Sequence, residues 1–179
     1  DRITGTTLSI NTWYPIAVRR SGTSTKMFLN GVQDGSTTNS ANFTNSIIRV
    51  GGGLNGYFTG YIDDVRITRY ARYTANFTPT TSSLTSVTGT SLLTFQNNRY
   101  LDNSSNNLTL SPVSAPTVQR FNPLSNNNQI YDKSVYAGSY YFDGNGDYLD
   151  IPATGTQFAG NNFTIEFWVY PVTAPSTSW

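Results

Sequence analysis

Apolar and polar residues alternate in short runs along most of this chain, and clusters of Asn, Gly, Ser and Asp separate the runs. Val, Ile, Thr, Tyr and Phe dominate the runs, and these residue types fit a pleated, half-buried surface. No apolar stretch has the period and length of a helix, so the pattern predicts an all-β fold, a sandwich or barrel. In residues 163–170 the two-residue period puts Phe163, Ile165, Phe167 and Val169 on one face and Thr164, Glu166, Trp168 and Tyr170 on the other. Asn30 and Gly31 sit between two strand-like runs and tolerate the positive φ of a type I′ turn, which predicts a tight hairpin. Further strands are expected at residues 6–10, 13–19, 47–50, 57–68, 92–96 and 142–152. Pro15 has no backbone donor, so its strand should begin there or lie at an edge. Residues 112–133, with several prolines and an Asn run, read as a long surface connection.

Charge changes the picture by exclusion. The net charge is +1, Lys26 and Lys133 are the only lysines, and no basic run occurs, which argues against nucleic acid as a partner. Arg19 and Arg20 alternate across a strand, so one is expected in solvent and the other propping a turn. Cysteine and histidine are absent, which removes disulfides, thiolate chemistry, His-based triads and the commonest transition-metal ligands. Any catalysis would rest on carboxylates. No run of about 20 apolar residues is present, so helical membrane insertion is not expected. The 179 residues suffice for one ordinary domain or two incomplete ones.

Two sets of motifs carry a resemblance. The segments Gly60-Tyr-Ile-Asp-Asp-Val-Arg66, Tyr141-Phe-Asp-Gly-Asn-Gly-Asp-Tyr148 and Phe163-Thr-Ile-Glu-Phe-Trp168 resemble laminin G-like, concanavalin A-type modules. The family's order is inverted, because the first segment belongs near a module's end and the other two near its start. Residues 1–80 therefore resemble the closing half of one module, the Ser/Thr-rich residues 81–91 a linker, and residues 92–179 the opening half of the next. Residues 100–110, with their Asp-Asn-Ser-Ser-Asn turn, resemble early strands of that opening half. The resemblance implies an antiparallel jelly-roll β-sandwich, permuted within one chain or completed by a neighbouring chain. A permuted sandwich requires Val65 and Phe167 to share one core.

The resemblance also implies a non-catalytic structural and adhesive module of a repetitive virion, tail-fibre or cell-surface protein. Its location would be extracellular or on the virion. Its partners would be a glycan or host cell-surface polymer, together with neighbouring modules or copies of itself. A purely structural filament subunit is the alternative, and a glycoside hydrolase fragment a weaker one. Enzymes of the fold need two carboxyls about 5–5.5 Å apart for retaining chemistry. This chain has a single glutamate, Glu166, and Asp63 and Asp64 are adjacent on a strand. No enzyme is expected.

Two kinds of binding residue stand out. Asp143, Asn145 and Asp147 alternate on a Gly-rich turn and offer oxygens suited to calcium, the one candidate cofactor, although the same residues suit a plain turn. Asp63 is a further calcium candidate, or a carboxylate capping loop amides, on a face with Tyr61, Val65 and Ile67. Sugar rings stack on aromatic faces, and Tyr57, Tyr70, Tyr73, Trp168 and Tyr170 are the candidates, each with core packing as the competing role. The triplets at Asn42, Asn76 and Asn162 fit the N-glycosylation pattern, which so Asn- and Thr-rich a chain produces by chance.

Overall fold

In the computed structural model the described residues are 3–41, 43, 47–53, 56–124, 138–152, 158 and 162–174. They contain no helix. The strands are β1 (Tyr14–Ser21), β2 (Ser24–Leu29), β3 (Val32–Thr38), β4 (Ile47–Val50), β5 (Gly52–Gly53), β6 (Gly56–Tyr57), β7 (Thr59–Thr68), β8 (Thr90–Thr94), β9 (Ser111–Val113), β10 (Thr117–Gln119), β11 (Ser139–Asp143), β12 (Tyr148–Pro152) and β13 (Phe163–Pro171).

A large sheet of eight strands runs β10-β11-β7-β13-β1-β2-β3, with β8 also paired to β7. One edge of β7 is shared, its start pairing with β11 and its end with β8. A smaller sheet runs β4-β12-β9, and β5 and β6 form a separate ribbon. All pairings are antiparallel. The two larger sheets face each other across one core, in which Leu149 and Ile151 of β12 meet Ile62, Val65 and Ile67 of β7 and Val169 of β13. The fold is an all-β, antiparallel jelly-roll-type sandwich. β13 lies between β1 and β7, so both halves of the chain build one sheet. Val65 is buried in the core and Phe167 packs against it.

The Asn30-Gly31 hairpin forms as the residues require, with φ of 53° and 77° and Leu29 paired to Val32. Gly31 is needed twice, since a Cβ there would also lie 1.9 Å from the Phe77 carbonyl oxygen. Pro15 is the second residue of its strand, as its missing donor demands, yet β1 is central rather than an edge.

Several expectations are corrected. Residues 6–10 form no strand; there the Thr6 amide and hydroxyl donate to Asp34 at 2.7 and 2.6 Å, and the Ser9 amide to Tyr14. Residues 100–110 are also irregular, because the Asp102 carboxylate accepts from the amides of Leu93, Ser104 and Leu108 and so winds the segment about itself. Within residues 112–133 the chain does pair, through β9 and β10, while residues 125–133 lie outside the described part. Both Arg19 and Arg20 are buried, Arg20 donating to the carbonyls of Gly22, Ala41 and Asn39 and Arg19 to that of Ser24.

The strand expected at residues 57–68 breaks at Phe58 and carries a bulge. Across from β13, Glu166 pairs with Arg66 but Trp168 with Asp63, so β7 holds one extra residue. Asp64 supplies it with φ of 56°, a left-handed conformation that Asp tolerates better than most residues. The bulge changes the parity of β7: Ile62, Val65 and Ile67 all turn to the core, and Asp63 shares its face with Tyr61 instead.

Candidate functional site

The outer face of the large sheet is built from registered rows. Arg66, Glu166, Ala17 and Phe28 form one row across β7, β13, β1 and β2. Asp63, Trp168 and Pro15 form the next, and Tyr141, Tyr61 and Tyr170 lie beyond it. Residues 70–87 fold back over the first row. Tyr73 and Phe77 stack with centroids 3.6 Å apart, Phe77 meets Phe28 edge-on, and the Leu84 amide donates to Asp64 Oδ2 at 2.8 Å. Between this strap and the sheet lies a cleft of about 380 Å³. Ala17, Glu166 and Trp168 line its floor, and Thr78, Thr80, Ser82, Ser83 and Thr85 line the strap side.

A buried charge cluster fixes the floor. Arg66 donates to Glu166 Oε1 through Nε at 2.7 Å, with NH2 2.6 Å from the same oxygen. Arg66 NH1 reaches the Thr85 carbonyl at 2.6 Å and so ties the strap down. The Tyr73 hydroxyl donates to Glu166 Oε2 at 2.5 Å, and Arg72 Nε stands 3.5 Å from Oε1. Burial, joined by the Glu166 charge, raises the Tyr73 pKa. Both oxygens of Glu166 are therefore engaged, and its side chain is 7% exposed. A carboxylate held this way has no oxygen left to act as nucleophile or base without breaking the cluster.

The nominated aromatics go to three places. Tyr73 and Trp168 line the cleft, and Tyr70 accepts from Arg72 NH1 at 2.9 Å beside it. Tyr170 packs with Trp13, Tyr61 and Phe121, ring centroids 4.8–5.7 Å apart, farther along the same face. Tyr57 lies on the opposite sheet side, against Tyr148. The residues that sequence reasoning missed are Arg66, Arg72 and the hydroxyls of the strap. Residues 81–87 of that strap belong to the Ser/Thr-rich stretch 81–91 read as a linker, whose one visible signal was Leu84, which is buried.

The calcium candidates separate as well. In the loop between β11 and β12, Asp143 Oδ1 accepts from the Asn145 amide at 2.7 Å and Asp147 Oδ2 from the Asp143 amide at 3.1 Å. Gly144 and Gly146 take φ of 80° and 90°. Asp147 Oδ1 is buried without a hydrogen-bond partner, and burial, with the Asp143 carboxylate beside it, raises the Asp147 pKa. Asp63 is elsewhere: Asp143 pairs with Thr59, and four strand residues from Thr59 to Asp63 span about 13 Å. Asp63 does not cap the strap amide; its neighbour Asp64 does. Among the described residues no group of three or more acidic side chains could hold a metal. The Asn76 and Asn162 side chains serve the fold, accepting from the amides of Gln33 and Gly22.

Residues 1–76 match the family model of the laminin G type in the concanavalin A-like lectin/glucanases superfamily. This stretch is laminin G-like. It runs from the start of the chain through β7 and includes Tyr70, Arg72 and Tyr73, whereas Glu166 and Trp168 lie outside it. Comparison with curated proteins and with solved structures returned no match.

Proposed function

We propose that this chain is a non-catalytic, glycan-binding adhesive module whose cleft on the large sheet holds the sugar. A laminin G-like, concanavalin A-like module is suited to carbohydrate binding or adhesion. The observation that carries the reading is a cleft of about 380 Å³ lined by Trp168 on the floor and by Thr80, Ser82 and Ser83 on the strap side, where the Thr80 and Ser82 hydroxyls also bond each other at 3.0 Å. The volume falls within the range of ligand sites, about 300–1,000 Å³. A pyranose would lay its C–H face on Trp168 and exchange hydrogen bonds with the wall and Arg72. The engaged state of Glu166 supports binding without turnover. We further propose a surface-exposed setting, in a repetitive virion, tail-fibre or cell-surface protein, where many weak sites act together.

Titration of the chain with neutral oligosaccharides, followed by Trp fluorescence, tests this. We expect millimolar-range binding, at least tenfold weaker in Trp168→Ala, and no reducing ends released from laminarin or agarose. Binding unchanged in Trp168→Ala would remove the cleft from the reading. An array of several modules that ignored every polysaccharide would favour the filament role.

We also assign calcium to the loop of Asp143, Asn145 and Asp147, with Asp147 Oδ1 as the acceptor that lacks a donor. Two carboxylates and an amide would supply part of the oxygen shell, and backbone carbonyls and water the rest. Calcium at 100 times its Kd adds about 2.7 kcal/mol, which raises Tm by about 5–10 °C in a chain of this size. Asp147→Asn should abolish the rise; a melt that is the same in calcium and in chelator would overturn the assignment.

A further inference from the structure

The second face of the sandwich carries a side-chain cluster that the fold does not require. In β12, Leu149 and Ile151 are fully buried, so Tyr148 and Asp150 point away from the core. In β4, Ile48 and Val50 pack against the core and Arg49 points outward. Register pairs Arg49 with Asp150. The guanidinium meets the carboxylate through Nε–Oδ1 at 2.7 Å and NH2–Oδ2 at 3.4 Å, leaving NH1 outside the pair. The Arg49 guanidinium also lies 4.4 Å from the centre of the Tyr148 ring. Beside it stands Tyr57, 6.2 Å away between centroids and nearly parallel at 16°.

Gly52 makes this arrangement possible. A Cβ there would lie 2.9 Å from Tyr148 Cβ and 3.0 Å from Tyr57 Cδ1, so the two rings rest on bare backbone. Tyr57 is 48% exposed, and the Arg49 side chain 42%. Exposed ion pairs contribute little to stability, and a half-exposed tyrosine buries little surface. Fold stability therefore does not account for an aromatic pair, a donor fork and a carboxylate held in one outward-facing group.

We infer that Tyr57, Tyr148, Arg49 and Asp150 form a second saccharide site, which makes the module bivalent. This rests on the glycan-binding reading above. The ligand class follows from the chemistry. Tyr57 offers a face to pyranose C–H groups, and the adjoining guanidinium and carboxylate suit the acceptor and donor of vicinal hydroxyls. Because the pair is charge-balanced, the site selects neutral pyranoses over uronic acids. The two sites lie on opposite outer faces of the sandwich, so one short oligosaccharide cannot occupy both. A single module instead bridges two glycan chains.

Calorimetric titration of the intact chain with maltoheptaose, laminariheptaose and cellopentaose tests this, alongside precipitation of the matching polysaccharides. Two saccharides should bind per wild-type chain, and one in either Tyr57→Ala or Trp168→Ala. Arg49→Gln should weaken the second site at least tenfold while leaving the first unchanged, and oligogalacturonate should leave the second site empty. Wild-type monomer should precipitate the polymer, and both single variants should not. One saccharide per chain, unaffected by Tyr57→Ala, would overturn the second site and leave the cleft standing. No binding of any saccharide would sink both.

Discussion

Replacing Arg66 with alanine should cost the fold about 3–5 kcal/mol, the usual result of removing one partner from a buried ion pair. Arg66 is 3% exposed and Glu166 6%, so solvent compensates little for the lost guanidinium. Tyr73 and Arg72 would remain beside Glu166, but Arg72 makes no hydrogen bond to it at 3.5 Å. The strap would also lose its anchor at the Thr85 carbonyl. Natural domains are stable by only about 5–15 kcal/mol, so a large part of the total disappears. Denaturant melts check the magnitude. The double variant Arg66→Met/Glu166→Leu removes both members of the buried pair and should recover part of the loss, with Arg72 Nε and the Tyr73 hydroxyl left without their carboxylate. A double variant less stable than Arg66→Ala would show that strap anchoring, rather than charge burial, dominates.

Stability should fall as pH rises from about 4 to about 7, the reverse of the common pattern for carboxylates. The cause is the bulge on β7. Asp64 is 1% exposed, and burial pushes its carboxyl up to about 7, against the pull of the Leu84 amide, Arg66 and Gln96 and with a push from Glu166. Asp63 is raised well above the ordinary carboxylate range, first by burial and then by the Asp64 charge. Each has an Oδ1 with no hydrogen-bond donor. Between the two pKa values of Asp64 the native state holds a proton that the unfolded chain has released, so its contribution is complete below about 4 and lost by about 7. The loss is on the order of 4 kcal/mol for Asp64 alone. Asp63, raised by burial and by the Asp64 charge, acts in the same direction. Because the chain has no histidine, no side chain of ordinary pKa titrates between about 5 and 8. Melts from pH 4 to 9 read the slope directly, and Asp64→Asn, which keeps an oxygen for the Leu84 amide, should flatten it between 4 and 7. A Tm that climbs with pH over this range would refute the account.

Local chemistry explains which features were legible in the sequence. Asn30-Gly31 and the alternation of residues 163–170 declare themselves, because their conformation depends on neighbours a few residues away. The bulge at Asp64 leaves no mark, since a left-handed Asp differs from an extended one only in what surrounds it. For that reason the parity of β7 was read one step wrong at Asp63. The pairing of Arg66 with Glu166 is set by strand register across the sheet, which no motif encodes. Residues 81–91 looked like a linker because the hydroxyls of their first part line a cleft rather than a core. Of the nominated aromatics, Trp168 and Tyr73 converge only because residues 70–87 fold back onto β13. Tyr170 sits two residues from Trp168 on the same face and still joins a different group.

The position of β13 at the centre of the large sheet also dictates an order of events during synthesis. β1 and β7 each need β13 along one edge, and pairs such as Ile16 with Phe167 join the two ends of the described chain. Until residues 163–171 leave the ribosome, both strands carry a row of unpaired amides and carbonyls. Contacts of such long range close slowly, on a scale of about milliseconds to seconds for sandwich folds. Between the emergence of β7 and that of β13 the nascent chain thus carries two sticky edges, open to strands of other nascent copies, and β13 is the element that seals them.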